Sequence, residues 1–180
     1  MVQEEVSVIM SLPIIINDVL SSEDLQYCKD IAMGLKEATK KNKNKYDPIF
    51  GRYRWFNHEA FIEIEKKIRP LAIKHFNQEG VEHAWNILMV YEREKARLLP
   101  HKDSSSPCQY AFDLCIYQGE PWDIWVEGEQ FIPKENDAVL FLGEEQTHWR
   151  GDFPNPENNL VIYICFFYVD KNHWSVGVKK

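Results

Sequence analysis

The first part of the chain carries apolar residues at helical spacing. After residue 21 they recur three and four positions apart, as on one face of a helix: Leu25, Cys28, Ile31, Ala32 and Leu35. Ser21 is a candidate N-cap for this helix, with Asp24 at position N3. A second helical pattern covers 57–80, where Asn57 is a candidate cap and Pro70 predicts a kink or a new helix start.

From about residue 83 the pattern changes to short runs of β-branched and aromatic residues, which are typical of strands. The runs are "AWNILMVYE", "CQYAFDLCIYQ", "WDIWVEG", "DAVLFLG" and "NLVIYICFFYV", with turn residues between them. Helices followed by closely spaced strands indicate an α+β protein. Because no helices separate the strands, a jelly roll with the N-terminal helices packed on it is favoured over a doubly wound sheet.

No repeat, linker or low-complexity tract interrupts these patterns, so we expect residues 1–180 to form a single domain. The segment "KKNKNKYDPIFG" between the two helical patterns is polar and rich in turn residues, and it predicts a loop. A short apolar run, "III", predicts a strand ahead of the first helix.

Composition narrows the possible partners. A hydrophobic content of 44% is that of a packed globular protein, and 21 basic against 28 acidic residues give a net charge of −7. This balance argues against nucleic-acid binding, which needs a positive surface. Four cysteines without a Cys-x-x-Cys pair predict reduced thiols. The apolar start "MVQEEVSVIMSLPIII" contains two glutamates and a proline, so we expect neither a signal peptide nor a membrane span, and a cytoplasmic location.

Three residues of the strand-rich region are candidate metal ligands. His101 and Asp103 stand two apart, which places both side chains on one face if the strand continues through them. His148 follows Asp103 by 45 residues, enough for several short strands, so a jelly roll can return it beside the pair. Two imidazoles and a carboxylate on one side of an iron(II) ion leave three positions open for oxygen and a chelating cosubstrate. Alternatively, His101 is a turn residue and His148 only caps a strand.

Several segments resemble the iron(II)/2-oxoglutarate-dependent oxygenases, closest to the prolyl-hydroxylase-like branch. They are "NILMVYEREKARLLPHKD", "CQYAFDLCIYQ", "FIPKENDAVLFLGEEQTHW" and "NLVIYICFFYVD", with "GRYRWFNHEAFIEIEKKI" and "IIINDVLSSEDL" ahead of them. The resemblance implies a double-stranded β-helix with iron(II) held by His101, Asp103 and His148. It also implies 2-oxoglutarate as cosubstrate, decarboxylated to succinate, and a cosubstrate contact from Tyr91, ten residues before His101.

The sequence departs from this family at one position. The family usually places an arginine or lysine on a strand after the second histidine, but "NLVIYICFFYV" contains no basic residue. Arg150, two residues after His148, shares the histidine's face if that strand continues, and it is the candidate for the distal carboxylate of the cosubstrate. The alternative is a surface arginine paired with Asp152. The other candidates rank lower: Arg97, Lys102, Arg52 and Arg54.

Together these features predict a 2-oxoglutarate-dependent dioxygenase that hydroxylates a peptidyl residue or a small molecule. Two alternatives stay open. One is a cupin-type jelly roll that binds metal without 2-oxoglutarate, and the other is a non-catalytic binding module.

Overall fold

A computed structural model describes residues 12–39, 45–76, 80–92, 95–103 and 107–176. In these residues the chain forms two helices, α1 (Ser22–Thr39) and α2 (Ile62–Phe76), a 3-10 turn and eleven strands. The strands are β1 (Ile14–Ile16), β2 (Tyr46–Asp47), β3 (Arg52–Phe56), β4 (Val81–Glu92), β5 (Leu98–His101), β6 (Tyr110–Gln118), β7 (Ile124–Val126), β8 (Glu129–Phe131), β9 (Ala138–Phe141), β10 (His148–Arg150) and β11 (Leu160–Asp170).

The strands form two antiparallel sheets that face each other as a jelly roll. The large sheet has the order β1-β9-β6-β11-β4-β3-β2, and the small sheet has the order β5-β10-β7-β8. Helix α1 packs against β4 and β6, and helix α2 packs against β4. The predicted α+β jelly roll with helices on its outer face is therefore confirmed. No helix in the described segments is long and apolar enough to cross a bilayer.

Strand β11 shows no alternation of polar and apolar residues because both of its faces are buried. Ile162, Ile164 and Phe166 point to the core between the large sheet and the helices. The intervening Val161 and Tyr163 point to the second core, between the two sheets. Since side chains alternate across a strand, a strand covered on both faces becomes a continuous apolar run.

The predicted N-cap of α1 at Ser21 is present. The backbone N–H of Asp24 donates to the Ser21 hydroxyl at 3.2 Å, and this hydroxyl donates to the Asp24 carboxylate at 3.1 Å. The prediction of Asn57 as the second cap is wrong. Asn57 has a left-handed φ of 47° and accepts a hydrogen bond from the backbone of Asn86. His58 caps the 3-10 turn Glu59–Phe61 that leads into α2.

Two other expectations need correction. Helix α2 continues through Pro70, so the alternative that a new helix starts there is wrong. The predicted loop between the helices is partly a hairpin, since β2 pairs with β3, and β3 pairs with β4. Pairing with an existing sheet edge satisfies backbone groups that local sequence alone would leave to solvent. The lysine-rich part of that segment, residues 40–44, lies outside the described residues.

Candidate metal centre

Strands β5 and β10 bring the two candidate histidines together. His101, the last residue of β5, is the direct antiparallel partner of His148, the first residue of β10. Directly opposite residues of a sheet have neighbouring side chains, and the two imidazole rings have centroids 4.3 Å apart. The side chain of His148 is 4% exposed and that of His101 is 32% exposed. The pair thus has one buried ring and one ring that meets solvent.

Asp103 reaches the same point, although not from the strand. The expectation that β5 continues through Asp103 is wrong, because β5 ends at His101 and the backbone N–H of Asp103 donates instead to the carbonyl of Gly143 at 2.8 Å. The carboxylate still faces both rings. Its oxygens lie 3.4 Å from Nε2 of His101 and 3.6 Å from Nε2 of His148.

The hydrogen bonds behind the two rings settle which nitrogens face the centre. Nδ1 of His101 lies 2.8 Å from the carbonyl of Leu99, and Nδ1 of His148 lies 3.0 Å from the carbonyl of Gln146. A carbonyl only accepts, so each Nδ1 carries the hydrogen and each neutral ring presents a bare Nε2 lone pair. These lone pairs point toward a carboxylate that also only accepts. Such an arrangement calls for a cation among the three groups.

The three ligand atoms fit a metal ion. One atom from each of His101, Asp103 and His148 lies within 4.8 Å of the others, and no second group of this kind occurs in the described segments. Two imidazole nitrogens and one carboxylate oxygen are the donor set that non-heme iron(II) takes with three positions left open. The donor chemistry of the site therefore fits the predicted ion.

The ionisation of the two histidines reflects their different burial. Burial lowers the pKa of His148, and this effect exceeds the opposite effect of the Asp103 carboxylate. Burial acts in the same direction at His101, but the hydrogen bonds that the protonated ring donates to Asp103 and to the Leu99 carbonyl outweigh it, and the pKa of His101 is raised. Asp103 thus attracts positive charge to the space between the rings.

Gly143, which the sequence patterns do not single out, makes room for the Asp103 carboxylate. A Cβ atom at position 143 would lie 2.9 Å from Oδ2 of Asp103 and 2.4 Å from the backbone oxygen of Cys108. Both distances are shorter than ordinary carbon–oxygen contacts. The only sign of this position in the sequence is the glycine that directly follows the apolar run in "LFLG".

A cavity of about 100 Å³ opens beside the three ligands, between the two sheets. Its wall holds the triad and four further polar side chains, Arg52, Tyr91, Asp113 and Arg150. The rest of the wall is apolar, if the Cys165 thiol is counted as apolar, and consists of Trp85, Ile87, Met89, Leu98, Phe141, Cys165 and Phe167. A concave site with a few convergent polar groups in an apolar wall is typical of small-molecule binding.

Arg150 faces this cavity, and the alternative of a surface pair with Asp152 is wrong. Arg150 is 6% exposed, and its Nη2 donates to the Asp113 carboxylate at 2.6 Å. Its Nη1 donates to the carbonyl of Trp122, and the guanidinium stacks on the Tyr163 ring at 3.8 Å. Burial lowers the pKa of Arg150, but Tyr163 and Asp113 outweigh it, so the pKa is raised.

Tyr91 and Arg52 lie together on the large sheet. Tyr91 is 1% exposed, and its hydroxyl accepts a hydrogen bond from Nη1 of Arg52 at 2.7 Å. On sequence alone, Arg52 ranked below Arg150 as a cosubstrate contact. Its alternation with Arg54 in "RYRWF" was the available sign of a strand with one face toward the cavity.

Solved structures of other proteins share this architecture. The chain superimposes on a prolyl hydroxylase from Trichoplax adhaerens in complex with a hypoxia inducible factor oxygen degradation domain peptide, with a TM-score of 0.68 at 11% identity over 93% of this chain and 87% of that one. It has the fold of the 2-oxoglutarate- and iron(II)-dependent oxygenases. No protein-family model and no curated protein matches the sequence.

Two further structures show the range of proteins with this oxygenase fold. The viral collagen prolyl hydroxylase of Paramecium Bursaria Chlorella virus-1, in complex with 2OG, has a TM-score of 0.64 at 13% identity over 88% of this chain and 96% of that one. The non-heme alpha ketoglutarate dependent epimerase SnoN from nogalamycin biosynthesis has a TM-score of 0.68 at 11% identity over 88% and 77%. The fold alone thus leaves the reaction open.

Proposed function

We propose that this protein is an iron(II)- and 2-oxoglutarate-dependent dioxygenase that hydroxylates a peptidyl residue or a small molecule. The observation that carries the proposal is the convergence of two Nε2 lone pairs and one carboxylate on a single point. The same fold in 2OG-Fe(II) oxygenases and prolyl hydroxylases supports it.

In this proposal His101, Asp103 and His148 bind the iron, and the rest of the cavity binds the cosubstrate. The Leu99 and Gln146 carbonyls hold the two rings in the ligating tautomer. Iron(II) and 2-oxoglutarate, when bound, supply the oxidising chemistry, with decarboxylation of the cosubstrate to succinate.

Tyr91 and Arg150 are the proposed cosubstrate contacts. Both line the cavity beside the triad, and both are buried, so their polar groups interact there with little competition from water. The apolar remainder of the wall excludes solvent from the reacting groups. This keeps the electrostatic interactions inside the site strong.

The substrate class is proposed from charge and from the neighbouring structures. A net charge of −7 disfavours nucleic acid. A peptide fragment is bound in the Trichoplax prolyl hydroxylase structure, which supports a peptide as one substrate class for this chain. The large sheet includes strands from β1 to β11, and the core between this sheet and the helices contains residues from Leu12 to Tyr168, which supports a single domain over residues 1–180.

The decisive experiment is an anaerobic titration of the protein with iron(II) and then 2-oxoglutarate. We expect a weak visible charge-transfer band from the chelated complex, and succinate release after oxygen is admitted. The variant His101→Ala should lose the band and succinate release by at least about 100-fold, because one of only three protein ligands is gone. His75→Ala, on helix α2 and outside the cavity, is the matched control and should behave as the wild type.

Other outcomes identify the alternatives. Tight metal binding without any 2-oxoglutarate binding would point to a cupin-type metal protein. No metal binding in the wild type would leave a non-catalytic binding module.

A further inference from the structure

A row of three side chains crosses the large sheet beside the candidate metal centre. Tyr91 on β4 is paired with Val161 on β11 on one side and with Arg52 on β3 on the other. Strand β11 is the strand that follows the second histidine, and its residue beside Tyr91, Val161, is aliphatic and buried in the core between the two sheets. The positively charged side chain of the row is Arg52, on the other side of Tyr91.

Arg52 directs its guanidinium into the cavity. Nη1 donates to the Tyr91 hydroxyl at 2.7 Å, and the group lies 4.7 Å above the Phe50 ring. Its Nε is buried and has no hydrogen-bond partner. The Asp47 carboxylate forms an ion pair with this nitrogen at 3.7 Å, which is beyond hydrogen-bond range. Arg54 shares the same carboxylate at 3.2 Å, so one of the two positive charges has no counterpart in this group. A buried N–H without an acceptor is costly, so the group is suited to an incoming anion.

The backbone of Arg52 is held in place by the residue before it. Gly51 has a φ of 61°, and a Cβ atom there would lie 2.1 Å from the carbonyl oxygen of Lys95. Only glycine permits this approach. Strand β3 therefore starts at a defined point against the segment that leads into β5.

The second arginine of the cavity carries no surplus charge. Arg150 and Asp113 form a buried pair at 2.6 Å, so their charges cancel. A 2-oxo dicarboxylate brings two negative charges, of which one belongs to the 2-oxo acid end that chelates the metal. The distal carboxylate needs a cation of its own, because an unpaired carboxylate is expensive to bury.

We propose that Arg52 binds the distal carboxylate of 2-oxoglutarate, with the Tyr91 hydroxyl beside it, and that it selects 2-oxo dicarboxylates over monocarboxylates. This inference rests on the proposed function. It assigns to strand β3 a task that the related enzymes usually give to a basic residue on the strand after the second histidine. Arg150 then contacts the cosubstrate as half of a neutral pair.

The test is an anaerobic calorimetric titration of the protein loaded with Mn(II). Two probes are compared: 2-oxoglutarate, and 2-oxovalerate, in which a methyl group replaces the distal carboxylate. We expect the wild type to prefer 2-oxoglutarate. In Arg52→Gln the Kd for 2-oxoglutarate should rise about 10- to 100-fold, which corresponds to the loss of charge-assisted hydrogen bonds, while the Kd for 2-oxovalerate stays unchanged.

Arg54→Gln is the matched control. Arg54 stands two residues further on the same strand, carries the same charge and also approaches Asp47, at 3.2 Å, but it does not line the cavity. Its substitution should leave both dissociation constants unchanged. Arg52→Lys keeps the charge without the planar fork and should weaken 2-oxoglutarate binding less than Arg52→Gln does. Mn(II) affinity, measured separately, should match the wild type in all three variants.

The outcomes separate the two proposals. If the wild type binds Mn(II) but neither 2-oxo acid, the proposed function fails. If the wild type prefers 2-oxoglutarate and both Arg52 variants keep that preference in full, the assignment of Arg52 is overturned while the proposed function stands. Circular dichroism of each variant identifies a folding defect, and a folded Arg52→Lys then decides the question if Arg52→Gln is unfolded.

Discussion

The carboxylate of Asp103 can lie between the two imidazoles because position 143 has no side chain. The glycine also receives the Asp103 backbone N–H on its carbonyl oxygen. One residue thus sets both where the Asp103 backbone turns and how much room its side chain has. A metal site depends on ligand positions to a fraction of an ångström. A side chain at position 143 that displaces the Asp103 carboxylate would therefore lower metal affinity without contacting the metal.

Gly143→Ala should therefore weaken metal binding. The new methyl group must displace the Cys108 carbonyl or the Asp103 carboxylate, and displaced supporting contacts typically cost 10- to 100-fold in metal affinity. The measurement is Mn(II) or iron(II) affinity by anaerobic titration. Gly34→Ala, in helix α1 with nothing within 4 Å of the added methyl, is the control. Equal affinities in both variants would contradict the role of Gly143.

At the scale of elements, strands β6 and β10 belong to different sheets and are joined by a buried ion pair. Asp113 comes from the large sheet and Arg150 from the small sheet, with side chains 7% and 2% exposed. Breaking one side of such a pair leaves an uncompensated buried charge, whereas replacing both by apolar groups removes the desolvation cost. The pair therefore fixes how the sheets are joined more than it adds net stability.

Substitutions at Asp113 and Arg150 should therefore be strongly non-additive in their effect on stability. Asp113→Ala should lower the free energy of unfolding by about 3–5 kcal/mol, because Arg150 stays buried without its partner. The double variant Asp113→Leu/Arg150→Met should recover most of that loss. Urea denaturation of the wild type, both single variants and the double variant provides the cycle. A double variant no more stable than Asp113→Ala would refute this account of the pair.

Local sequence patterns predicted the elements whose signals are local. The N-cap at Ser21 and the apolar run of β11 both depend on near neighbours. Asp103 and Arg52 show the limit: the first leaves its strand for a hydrogen bond to Gly143, and the second gains a strand by pairing with β4. Such contacts join residues 40 and 39 positions apart in the chain, so no short window contains them.

Across the whole molecule, the four cysteines are divided between the two cores as buried thiols, which confirms the prediction of reduced cysteines. Their exposure is between 0% and 3%. Burial raises the pKa of Cys28 and of Cys115 to about 12. The nucleophilic thiolate is therefore scarce in the folded protein at neutral pH.

We therefore expect the native protein to resist alkylation by iodoacetamide at pH 8, and all four cysteines to react once it is unfolded in urea. Mass spectrometry of the two samples counts the modified thiols. Because the folded-state pKa values lie above the ordinary value of 9.0, folding keeps protons that the unfolded chain releases, and stability falls between about pH 9 and pH 12. Rapid modification of the native protein would contradict the burial.

The small sheet provides His101 and His148, whereas Arg52 and Tyr91 belong to the large one. A dicarboxylate that chelates the metal at one end and binds Arg52 at the other would consequently link the two sheets, which share no backbone hydrogen bonds between their described strands. The melting temperature would then rise with cosubstrate concentration, because the bound cosubstrate links the two sheets and binds only the folded protein.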